Sequence, residues 1–150
     1  MRIEQFSASP AGAPRVDARL RQDAGIAFGP DAQLQILPLQ GHEVVYSRDM
    51  SATLPVAWLP RGDYRLQCHL HDLELPAGDY RLRLILFAEI ARERTVLADQ
   101  SVPFRLPQPL AAAGLRKPAW SLESLSGTPP VEELAWSRGH QDWFFRHFDH

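Results

Sequence analysis

The stretch "LPRGDYRLQCHLHDLELPAGDYRL", Leu59 to Leu82, holds one octapeptide twice, LPRGDYRL from Leu59 and LPAGDYRL from Leu75. Seven of the eight letters agree at an offset of sixteen, so the pair is either a duplicated site or two strands that begin alike. The residues after each tyrosine decide between these. Tyr64, Leu66, Cys68 and Leu70 alternate with Arg65, Gln67, His69 and His71. Tyr80, Leu82, Leu84 and Leu86 alternate with Arg81 and Arg83, a row that turns apolar at Ile85 and Phe87. Period-two alternation with one wet face is the signature of an antiparallel strand covering a core. Pro and Gly end the preceding element, and "RGD" and "AGD" read as tight turns with Gly supplying positive φ. The repeat is therefore structural, with its copies expected on strands of different sheets. Only the second copy carries a leucine pair, Leu73 and Leu75, ahead of its turn. It is the copy expected to form a tyrosine corner, in which the phenol bonds backbone upstream.

Outward from this stretch the same grammar continues. Strands are expected over Ala32–Gln40, Glu43–Arg48, Tyr64–His71, Tyr80–Phe87 and Thr95–Leu106, with weaker ones in "IEQFSA" from Ile3 and "RVDARL" from Arg15. Turn signals separate them, among them Gly41 between the first two, which is the pattern of an all-β antiparallel sandwich of the immunoglobulin-like, Greek-key kind with about 7–8 strands. The organisation expected is a sandwich over 1–106, a Pro-rich connector over 107–127 and a helical appendage over 128–150. Thr128 serves there as N-cap, Pro129 opens the first turn, and Glu132 and Glu133 lie where the helix dipole favours them. The appendage is dense in aromatics (Trp136, Trp143, Phe144, Phe145, Phe148) and is expected to pack on its own sandwich, to pack across a dimer, or to begin a second domain.

Composition bounds the function. The chain has 150 residues, 45% of them hydrophobic and 23% charged, and a net charge of -2. That is a globular composition without the basic excess that nucleic acid or an anionic membrane requires, so no nucleic-acid partner is expected. No apolar run reaches the roughly 18–20 residues of a membrane span, and no leader-like apolar stretch follows Met1, so the expected location is cytoplasmic. Lone Cys68 excludes an internal disulfide and a cysteine metal cluster. Neither a Gly-x-Ser-x-Gly elbow nor a His-Glu-x-x-His motif occurs, and the acidic residues are dispersed. The expectation is a non-enzyme with no cofactor. His69 and His71 share one strand face and, joined by His42 and Asp72 or Asp49, would suit zinc; the solvated reading is preferred and no metal is expected.

"LELPAGDYRLRLILF" (Leu73 to Phe87) followed by the closing "VPFRL" (Val102 to Leu106) resembles the carbohydrate-binding C-terminal domain of the ATPase subunit of O-antigen polysaccharide exporters. The resemblance spans about Ile3 to Leu106. It implies a sandwich that recognises the end of a glycan chain, a homodimer, and a fused or partner ATPase or catalytic domain. The chain holds no GxxxxGK[ST] phosphate loop, so it corresponds to the recognition module alone. Sugar binding needs planar hydrogen-bonding groups and flat rings for the C–H face of a pyranose. The expected glycan face is Arg65, Gln67, His69 and His71, with Tyr46 and Trp58 as stacking rings. The function expected is non-catalytic recognition of a bacterial surface polysaccharide during its modification or export. The alternative is a scaffold or dimerisation module that positions a fused methyltransferase or glycosyltransferase and touches no glycan.

Overall fold

The computed structural model describes residues 1–9, 14–28, 30–111 and 118–125, with backbone alone over 24–28. Eight strands follow one another: β1 (Arg2–Ser9), β2 (Arg15–Phe28), β3 (Asp31–Pro38), β4 (Tyr46–Asp49), β5 (Trp58–His69), β6 (Gly78–Ile90), β7 (Glu93–Leu106) and β8 (Ala119–Ser124). One 3-10 turn, Met50–Ala52, interrupts them. They form two four-stranded antiparallel sheets, ordered β1-β2-β5-β8 and β4-β3-β6-β7. The inner faces share one core. Leu20, Tyr64, Leu66 and Leu122 come to it from the first sheet, and Leu34, Ile36, Leu82, Leu84 and Phe104 from the second. The alternation after each tyrosine is kept in three dimensions: Tyr64, Leu66, Cys68 and Leu70 are buried, as are Tyr80, Leu82, Leu84 and Leu86.

The two copies of the octapeptide lie in different sheets, β5 in the first and β6 in the second. They do the same local work. The Tyr64 hydroxyl donates to the Pro60 carbonyl at 2.7 Å, and the Tyr80 hydroxyl donates to the Pro76 carbonyl at 2.7 Å. Both copies thus close the same phenol-to-proline clasp, where only the second was expected to. The leading leucine pair is not needed: both phenols enter the core, where a hydroxyl requires a partner, and each takes the proline carbonyl four residues upstream.

Two other expectations change and one holds. Arg61-Gly62-Asp63 is no turn but lies within β5. Gly62, at φ 152°, sits opposite Gln22 where the β2–β5 register slips between Gln22 and Ile26. The glycine absorbs an irregularity of pairing, which is a tertiary demand and not a local one. Gly41 does close a turn, its amide donating to the Pro38 carbonyl at 3.1 Å. The second change is within 107–127, expected as connector throughout. Ala119–Ser124 is the fourth strand of the first sheet, and Leu110 pairs with Leu75 in an isolated bridge. The helical appendage expected over 128–150 lies outside the described residues. Among the described residues no helix is long and apolar enough to cross a membrane.

Candidate functional site

β5 is the central strand that displays the expected row. Its pairing with β2 places Gln67 opposite Asp17 and Arg65 opposite Arg19, while β8 brings Ser121 beside Gln67 and Glu123 beside Arg65. Alternation turns all of these side chains away from the core. Asp17 organises the row. Its carboxylate accepts from Arg65 Nη2 at 2.7 Å and from Gln67 Nε2 at 3.0 Å, with Arg65 Nε at 3.2 Å from the other oxygen. The Arg65 hydrogen bond, and then that of Gln67, holds the Asp17 carboxyl below its ordinary value against partial burial, which acts the other way. Arg65 is in turn held above its ordinary range, first by its hydrogen bond to Asp17. Further along, the His69 and His71 rings stack with centroids 6.1 Å apart and planes 14° from parallel. The structure therefore brings together Arg65, Gln67, His69 and His71 on one half-buried polar face, with Asp17 at its centre.

It does not bring Tyr46 and Trp58 there. Tyr46 belongs to β4, in the other sheet, and is 8% exposed. Its hydroxyl donates to Asp72 at 2.6 Å, and burial pushes its pKa upward before that bond adds to the effect. Trp58 opens β5 and is 2% exposed. Both rings are core aromatics and offer no face to a ligand. Among the described residues, the flat groups on this side include the two imidazoles and the Arg65 guanidinium.

Asp17 was missed when the row was first read, although "RVDARL" places it opposite in phase to Val16, Ala18 and Leu20. That alternation was the available signal. Chemically, the face can donate and accept several hydrogen bonds in one plane. Among the residues gathered here none is an activated nucleophile, and Cys68, on the buried side of the same strand, has its thiol pushed up to about 12 by burial. Among the described residues no group of three or more His, Cys, Asp or Glu side chains is placed to hold a metal ion.

Compared with known proteins, the chain matches no family model, no curated protein and no solved structure.

Proposed function

We propose that this protein is a non-catalytic recognition module for a bacterial surface polysaccharide, engaged with it in the cytoplasm during modification or export. In this reading the two sheets are an immunoglobulin-like Greek-key sandwich, β1-β2-β5 facing β4-β3-β6-β7, with β8 added beside β5. One observation carries the functional reading. Arg65 and Gln67 are pinned by a shared carboxylate in line with two parallel imidazoles, on a sheet face that also presents Arg19, Ser121 and Glu123. Planar groups held in advance by a second residue are what hydroxyl pairs require, because little side-chain freedom is then lost on binding.

The test is a glycan array followed by titration of any hit. Gln67→Ala and His69→Ala should each weaken binding by about 2–12-fold, the equivalent of about 0.5–1.5 kcal/mol for one hydrogen bond to a neutral sugar. Arg105→Ala, exposed on the other sheet, should leave binding unchanged. An array without signal on folded protein, or equal weakening by Arg105→Ala, would overturn this assignment. The second reading, a scaffold or dimerisation module, draws on Leu39, Val44 and Val45, which are exposed together in the β3–β4 connection. A concentration-dependent dimer in sedimentation, lost in Val44→Ser, combined with a silent array would favour it.

A further inference from the structure

At the turn end of β6 and β7 a cleft of about 300 Å³ opens, lined among others by Asp31, Ser51, Phe87, Glu89, Arg92 and Arg94. Its floor is built around the Asp31 carboxylate. One oxygen accepts from the Ala32 and Ser51 amides at 2.8 and 2.9 Å, and the other from the Ser51 hydroxyl at 2.9 Å and Arg94 Nη2 at 3.3 Å. Four donors thus satisfy the Asp31 oxygens, and the Arg94 cation offsets their charge. Arg94 is also held in orientation, its guanidinium carbon 3.9 Å above the centre of the Phe87 ring. Only Nη2 of that guanidinium is committed to Asp31.

Two charges at the cleft are uncommitted. Glu89 stands opposite Arg94 in the ladder, yet Arg94 turns to Asp31 instead. Among the described residues neither the Glu89 nor the Arg92 side chain makes a hydrogen bond or an ion pair. Arg92 is also in an uncommon place. Ile90 pairs with Glu93, so Ala91 and Arg92 form a two-residue turn, with φ of 53° and 66°. Such turns demand left-handed backbone at both positions and are normally filled by Asn-Gly. An arginine placed where glycine is the unstrained choice points to a use for its side chain.

We propose that this cleft binds a carboxylate that also carries hydroxyl groups, a uronic acid being the fitting class. Arg92 and the uncommitted edge of Arg94 take the carboxylate, and Glu89 accepts from a neighbouring hydroxyl. The site lies on the sheet opposite Arg65 and Gln67, and stands independently of the polysaccharide reading of that face.

The experiment is a titration of the full chain followed by amide chemical shifts, with D-glucuronate as probe and D-glucose at the same concentration as its uncharged counterpart. Saturable shifts confined to the amides around Ser51, Glu89 and Arg92 are expected with glucuronate and absent with glucose. Arg92→Gly should weaken that response about tenfold or more while raising the melting temperature, since a charge-assisted contact is lost and the turn is relieved. Glu89→Gln should weaken it less, and Gln67→Ala should leave it unchanged. Equal responses to glucose and glucuronate, no saturation by glucuronate, or unaltered binding in Arg92→Gly would overturn the proposal.

Discussion

Tyr64 and Tyr80 each turn a proline carbonyl four residues upstream into the acceptor for a phenol, and they differ in how completely water is excluded. Tyr64 is 0% exposed and Tyr80 is 8% exposed. Removing the hydroxyl leaves a carbonyl short of one partner, at a cost of about 0.5–1.5 kcal/mol. Tyr64→Phe and Tyr80→Phe should both be destabilising in urea denaturation, with the Tyr64 variant at least as affected. A harmless Tyr64→Phe would show that its clasp contributes nothing. Asp17 gives a prediction in pH. Its folded pKa is depressed from the ordinary 3.8, chiefly by Arg65 and then Gln67. The stabilisation is therefore present above the unfolded value and is lost as pH falls through the lower folded one. In Asp17→Asn the decline of Tm between about pH 5 and pH 2 should be shallower than in the parent, measured at constant ionic strength. Identical slopes would mean that the Asp17 contacts do not persist in solution.

At the scale of elements, the β6–β7 hairpin is where local preference and observed conformation disagree. Ala91 and Arg92 carry a Cβ into left-handed backbone, at a cost of order 1 kcal/mol each. Ala91→Asn combined with Arg92→Gly should stabilise the protein by about 1–2 kcal/mol, read from the denaturation midpoint at unchanged slope. A loss of stability would show that the turn is not of this type in solution. The inner strands β2, β3, β5 and β6 were legible because each repeats three or four buried apolar residues at period two. β8 was not, since Trp120 and Leu122 are its only buried apolar residues and Pro118 precedes them. Gly62 misled for a related reason: its letters spell a turn, while the pairing of β2 with β5 carries the chain straight through.

For the whole molecule, two sheets sharing one core should unfold as one unit. Leu66→Ala in the first sheet and Leu84→Ala in the second each open a cavity in the same interior, costing about 2–5 kcal/mol apiece. Calorimetry should show a single transition displaced in both variants. Two separable transitions would mean that the sheets do not share a core in solution. The polar row was readable as far as parity goes, since Arg65, Gln67, His69 and His71 point where alternation sends them. The rings were not, because parity alone does not say which sheet Tyr46 joins or that Trp58 is covered. Nor was the cleft at the hairpin, whose walls come from β3, the 3-10 turn, β6 and β7 and meet only after the second sheet has assembled.

The turn at Ala91 and Arg92 bears finally on how quickly the chain reaches this arrangement. About half of the strand pairing is between strands remote in sequence, Arg15 with His69 and Tyr64 with Ser124 among them, and such topologies fold in milliseconds to seconds. The β6–β7 hairpin is the long local pairing that ought to form first, yet its reversal is the least favoured conformation in the described chain. A nucleus with a reluctant turn is slow to form, and the pairing of remote strands has to wait for it. Placing Asn-Gly at 91 and 92 should therefore act mainly on the refolding rate and barely on the unfolding rate, the partition expected of a contact already formed at the barrier.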